Sequence, residues 1–125
     1  MEMEPFFTVR QSKGYALVEF QTDSLMNPLE LERIGQGLYR LVDDAGHHRV
    51  VLDFSAVKYL SSQAVGIILT MNKKAAQFPE GRLVLCGIGQ QLLQLLKITR
   101  LDRLLNIVGS QKEIEPLAAL EKEKE

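Results

Sequence analysis

Short apolar runs alternate along this chain with amphipathic stretches of helical period. The clearest is central. Val50, Val51, Leu52, Asp53 and Phe54 form an apolar run of the kind that fills a buried strand. A loop follows over Ser55–Lys58, and Tyr59 and Leu60 return the chain to the core. Ser61 and Ser62 then precede a helical pattern that continues to Gln77. A serine in front of such a pattern starts a helix, because its hydroxyl accepts from an unpaired N–H of the first turn. At about 100° per residue, Val65, Ile68, Leu69, Asn72 and Ala76 form one stripe, and Ala64, Ile67, Met71 and Ala75 a second beside it. The apolar arc is about twice the ~100° that a surface helix needs to bury. Two readings follow: deep burial between a sheet and neighbouring helices, or a docking patch in which Ala64, Ile67 and Met71 stay exposed beside Ser62.

The remaining elements frame this unit. Phe6–Arg10 and Tyr15–Gln21 read as strands joined by a Lys13-Gly14 turn, an antiparallel hairpin at a sheet edge that carries no chemistry. Asn27-Pro28 opens a helix with Leu31, Ile34, Leu38, Leu41 and Val42 on one face, and Asp44-Ala45-Gly46 ends it. Gly35 and Gly37 weaken that helix by up to ~1 kcal/mol each relative to Ala, and suit close packing on the sheet. After a turn at Phe78–Gly81, Arg82–Cys86 is a short buried strand, and Gln90–Lys97 a helix with Leu92, Leu93, Leu95 and Leu96. Leu104, Ile107 and Val108 suggest a last strand, after a solvated turn in which Asp102 pairs locally with Arg100 or Arg103. Ser110 and Glu113 have capping-box spacing, and a final helix restarts around Pro116 with Leu117 and Leu120 facing inward. The order predicts an α/β fold: a mixed sheet of about five strands, an antiparallel hairpin then parallel strands, with about four helices. It forms one domain over residues 1–125, its core about 6–120 and a charged tail at 121–125.

Composition removes several functional classes. The net charge is −1 with cations spread along the chain, so no basic face marks a nucleic-acid site. No apolar run is long enough to span a bilayer, and the acidic start MEMEPFF is no signal peptide. A single cysteine, Cys86, allows no internal disulfide and fits a reducing, cytoplasmic setting. His47 and His48 are adjacent, so a strand would point them to opposite faces, and no Cys/His/Asp cluster completes a metal set. Gly87-Ile88-Gly89 fails the dinucleotide spacing because position 92 is Leu. There is no GxSxG elbow and no Walker loop, and Asp53 reads as a hydrogen-bonded acid at a strand end. The expectation is a protein that is not an enzyme and uses no cofactor.

The serine pair holds the candidate chemistry. At a helix start, free N–H groups and the positive end of the helix dipole favour a phosphate. With Ser61 as the cap, its oxygen turns inward, and Ser62 at the first helical position projects outward. A cap shifted by one residue would leave Ser61 as the acceptor instead.

Leu60-Ser61-Ser62-Gln63-Ala64-Val65-Gly66, following the strand that ends near Asp53, resembles the signature of the bacterial STAS domain, in particular the anti-sigma-factor antagonists. Their pattern is an apolar strand ending in Asn or Asp, a loop, then Asp-Ser-Ser-Gly-Leu-Gly opening a helix. Ser61 stands where the family has Asp, Gln63 replaces the second serine, and Ala64 replaces the first Gly. The resemblance runs from about Phe6 to Leu120 and implies the same α/β fold. It implies that Ser62 is the phosphorylated serine, with Ser61 the rival, and that Ser61, Ser62, Gln63, Ala64, Ile67 and Met71 meet the partner. The implied partner is an anti-sigma factor that is a serine kinase. The unphosphorylated antagonist sequesters it and so regulates sigma-dependent transcription; phosphorylation breaks the complex, and a serine phosphatase restores it. The ATP and Mg²⁺ belong to the kinase. A monomer or weak oligomer, binding neither nucleic acid nor membrane, would suffice. The alternative is a STAS scaffold or regulatory module that acts in a signalling complex without phosphorylation.

Overall fold

Val50, Val51 and Leu52 lie in an interior strand, buried on both faces. The computed structural model describes residues 2–4, 6–12 and 14–109. In chain order the elements are β1 (Glu2–Glu4), β2 (Phe7–Ser12), β3 (Tyr15–Phe20), β4 (Ser24–Leu25), α1 (Pro28–Asp43), β5 (Arg49–Asp53), β6 (Tyr59–Leu60), α2 (Ser62–Ala76), β7 (Arg82–Cys86), α3 (Gln90–Ile98), a 3-10 turn (Leu101–Arg103) and β8 (Asn106–Ile107). The sheet runs β1-β2-β3-β5-β7-β8. The pairs β1–β2 and β2–β3 are antiparallel, and β3–β5, β5–β7 and β7–β8 are parallel. This is the expected mixed sheet, extended at its edge by the three residues of β1. Three α-helices and the 3-10 turn account for the helical elements among the described residues. The capping box at Ser110–Glu113 and the helix around Pro116 lie outside them.

Register explains the burial pattern. Ala16, Val50 and Leu83 are aligned across β3, β5 and β7, as are Val18, Leu52 and Leu85. Side chains alternate between faces along a strand, so these six share one face. They pack with Leu31, Ile34, Leu38, Leu41 and Val42 of α1 and with Ala64, Ile68, Met71 and Ala75 of α2. On the other face Tyr15, Leu17, Val51, Val84 and Cys86 form a second cluster. Only the outer part of the hairpin is therefore edge-like. β3 is an interior strand, apolar on both faces, which its weak alternation had concealed.

Local expectations are met at the helix starts. The Asn27 side chain accepts from the backbone N–H of Leu29 at 3.0 Å and of Glu30 at 3.2 Å, with Pro28 in the first turn. Other details differ. Gly35 does not serve the sheet: a Cβ there would stand 3.3 Å from Ile67 Cδ1, so it makes room for α2. Tyr59 does not return to the core but is 56% exposed, because β6 pairs with β4 in a separate two-stranded ribbon. Asp102 makes no ion pair with Arg100 or Arg103 among the described residues. Leu104 is exposed, and the last strand begins two residues later.

Candidate functional site at the start of the second helix

Two structures precede the Ser61–Ser62 segment along the chain. One is the end of β5, where Asp53 is buried and its Oδ1 accepts from the Ser55 backbone N–H at 2.8 Å and from Ser55 Oγ at 2.6 Å. Gly87 closes against this turn with φ +69°, and a Cβ there would meet Ser55 Oγ at 2.3 Å, so the close approach requires glycine. The other is the ribbon. The N–H groups of Lys58 and Tyr59 donate to Asp23 O at 2.7 and 3.1 Å, and Ser61 N–H donates to Leu25 O at 3.1 Å. The start of α2 is thereby tied to the chain just before α1.

Ser61 is the N-cap. Its backbone is extended, with φ −92° and ψ 168°, and its Oγ accepts from Ala64 N–H at 3.2 Å. Ser62 is the first helical residue and is exposed. Gln63 is exposed too, and its Nε2 donates to Pro28 O at 3.4 Å, a second tie between the two helix starts. No acidic residue lies in the first turn of α2 to occupy the positive end of the helix.

Of the residues assigned to a partner surface, Ser62 and Gln63 are exposed and adjacent, and Ser61 is partly buried with its oxygen engaged. Ala64 and Met71 are corrections. They are 2% and 0% exposed and belong to the core, because the stripe that faces the sheet is Ala64, Ile68, Met71 and Ala75. Ile67 is half-buried against Gly35. The wide apolar arc of α2 is thus spent on the sheet and on α1. The outward stripe is Ser62, Gly66, Thr70 and Lys73.

The apolar surface beside Ser62 comes instead from elsewhere. Met26, Leu29 and Tyr59 are 49%, 76% and 56% exposed. Tyr59 is three residues before Ser62, and Met26 and Leu29 flank the Asn27–Pro28 helix start that Gln63 touches. Sequence reasoning missed them. A signal existed for Leu29, which lies about 200° from Leu31 on the helical wheel and so off the buried stripe.

Other candidate groups are structural. Gln11 Nε2 and His47 Nδ1 are 3.0 Å apart, and His48 stacks on Phe78 with ring centroids 3.5 Å apart. No group of three potential metal ligands occurs among the described residues. Cys86 is buried, and its thiol pKa is pushed up to about 12, first by burial and then by the charges of Asp53 and Glu19. Among the described residues no helix is long and apolar enough to cross a membrane.

A mixed sheet packed against α1 and α2, with a serine pair at the start of α2, defines a small α/β domain. The STAS domain family model matches residues 15–114, and this chain belongs to that family. Its fold is shared with a STAS domain protein of Planctomyces limnophilus described as an anti-sigma-factor antagonist, at a TM-score of 0.78 and 17% identity, covering 90% of this chain and 96% of that one. An anti-sigma factor antagonist from Mycobacterium paratuberculosis superposes at a TM-score of 0.77 with 18% identity, over 90% of this chain and 92% of that chain. The Bacillus cell fate determinant SpoIIAA in its phosphorylated form gives a TM-score of 0.67 with 12% identity, over 89% and 98%. No curated protein matches the sequence.

Proposed function

We propose that this chain is an anti-sigma-factor antagonist, a cytoplasmic binding protein made of one STAS unit and controlled by phosphorylation of Ser62. Unphosphorylated, it holds an anti-sigma factor that is itself a serine kinase; phosphorylated, it releases it; a serine phosphatase resets it. The observation that carries this reading is the division of labour between two adjacent serines. Ser61 Oγ is committed to the Ala64 N–H, while Ser62 is exposed at the first helical position. A phosphate on Ser62 adds nearly two negative charges and three acceptor oxygens. The N–H groups at the helix start and the dipole tolerate them within this protein. The same charge beside the apolar residues Met26, Leu29 and Tyr59 opposes a partner seated there. The docking surface is therefore Ser62 and Gln63 with these three side chains.

The scaffold reading, in which the domain binds without being phosphorylated, draws on Ser61 and Ala64 standing where the family has Asp and Gly.

The test is to identify the kinase that wild-type protein, but not Ser62→Asp, captures from the native cell, then to supply that kinase with ATP and map the modified residue by mass spectrometry. Phosphate on Ser62 and loss of the complex are expected. Phosphate on Ser61, or undiminished phosphorylation of Ser62→Ala, overturns the assignment; no phosphate on either serine selects the scaffold.

A further inference from the structure

A second surface, distinct from Ser62, lies where α3 turns into the 3-10 segment. Leu95, Ile98 and Leu104 are 42%, 79% and 62% exposed. They account for the large exposed apolar residues among the described residues apart from those flanking the Ser62 site. The chain winds tightly here. Arg100 N–H donates to Lys97 O, Arg103 N–H to Arg100 O, and Leu104 N–H to Leu101 O, with Arg100 in the left-handed region at φ 63°. Ten consecutive residues, 95–104, thus hold three exposed aliphatic side chains and the three exposed cations Lys97, Arg100 and Arg103. Among the described residues none of these cations makes an ion pair or hydrogen bond through its side chain, whereas Arg10, Arg49 and Lys74 are paired with Glu19, Glu80 and Asp43. Asp102 is the one acidic residue in the segment, so it carries a net positive charge of two. Beside it a cavity of about 550 Å³ is lined by Ile88, Leu93 and Leu105, with Lys97 and Asp102 among its polar residues.

The surface is separate from the phosphorylation site. Asn72 of α2 donates through its side chain to Leu104 O at 3.2 Å, and Asn72 lies ten residues, roughly 15 Å of helix, beyond Ser62.

The geometry points to a docking site for an acidic amphipathic segment of a second protein partner, aliphatic on one face and carrying Asp or Glu around it. Aliphatic anchors meet Leu95, Ile98 and Leu104, and carboxylates meet Lys97, Arg100 and Arg103. Charge complementarity selects this occupant. A second copy of this chain would set the same three cations against one another across a symmetric contact. A lipid surface is disfavoured: polybasic lipid sites gather about four to eight cations, and interfacial anchors are rich in Trp and Tyr, which residues 95–104 lack.

The test uses the full chain and a fluorescent synthetic peptide, helical over about five turns, with leucine at every helical repeat and glutamate elsewhere. A control peptide carries lysine in place of glutamate. The glutamate peptide is expected to bind at least about tenfold more tightly than the lysine peptide, and to lose about tenfold in Lys97→Glu/Arg103→Glu. It should weaken again at about 0.5 M NaCl. Ile98→Ser, at a site too exposed to matter for folding, should weaken it without moving the thermal melt. Ser62→Asp should bind the peptide as the wild type does, which separates this surface from the proposed switch. Equal binding of the two peptides, no binding of either, or an unchanged affinity in the charge-reversal variant overturns the proposal. So does sedimentation with phosphatidylglycerol vesicles in place of peptide binding, or dimerisation abolished by Ile98→Ser.

Discussion

Gly35 of α1 faces Ile67 of α2 so closely that a Cβ at position 35 would stand 3.3 Å from Ile67 Cδ1. The two helices meet closely at this contact, and α2 carries the candidate serine. Gly35→Val forces α2 outward and is expected to destabilise by about 1–3 kcal/mol, the usual cost of overpacking. A thermal melt should fall by about 4 °C or more for each kcal/mol lost. Ile67→Glu should also lower the melt, since a carboxylate would replace a half-buried aliphatic contact. An unchanged melt in both variants would show that the two helices do not meet here.

The two serines should separate in stability measurements. Ser61→Ala removes the oxygen that accepts from Ala64 N–H and is expected to cost about 1 kcal/mol. Ser62→Ala removes an exposed hydroxyl and should change stability by no more than about 0.5 kcal/mol. Urea unfolding of the two variants checks this directly. The reverse order of costs would mean that the cap sits on Ser62.

Met26, Leu29 and Tyr59 should matter for binding and not for folding. Exchanging all three for serine is expected to leave the melt within about 2 °C of wild type, since each is about half exposed or more. The same variant should lose the partner that Ser62→Asp loses, read by isothermal titration with that purified partner. Retained binding would place the partner elsewhere on the domain.

Cys86 gives a pH signature. The folded chain keeps its thiol proton up to about pH 12, while the ordinary value for a free thiol is 9.0. Above that lower value the unfolded chain holds fewer protons than the folded one, so stability contributed by the buried neutral thiol is full below it and is lost as pH rises towards the folded value. Urea midpoints of wild type and Cys86→Ala, compared between about pH 8 and about pH 10.5, should converge as the wild type loses its advantage. Rapid labelling of the folded protein by a thiol reagent at neutral pH would contradict the burial.

Much of the architecture is legible from local chemistry. Asn27-Pro28 and Ser61 announce two helix starts because capping is written in one or two residues. The strand Arg82–Cys86 is announced by its composition. What is not legible depends on partners distant in sequence. The arc of α2 looked wide enough to spare a docking patch, but Gly35 brings α1 against Ile67, and the sheet takes Ala64 and Met71. Tyr59 looked like a core residue because nothing nearby in sequence reveals that its strand pairs with Ser24–Leu25. Two of the three apolar side chains at the rim of the candidate site, Met26 and Leu29, come from around the start of α1, and no window around Ser62 contains them.

The β4–β6 ribbon joins Ser24 to Tyr59 and Leu25 to Leu60, and the Gln63–Pro28 bond spans the same 35 positions. Contacts so far apart in sequence form only after the intervening chain has folded back, because the entropy of closing that loop must first be met. Ser62 can be offered as a bare peptide at any time, but Ser62 framed by Leu29 and Tyr59 exists only in a chain whose first helix and central strand have docked. A partner that reads the frame as well as the serine thereby inspects the quality of the fold. Immature or damaged copies would be passed over, with no separate check required.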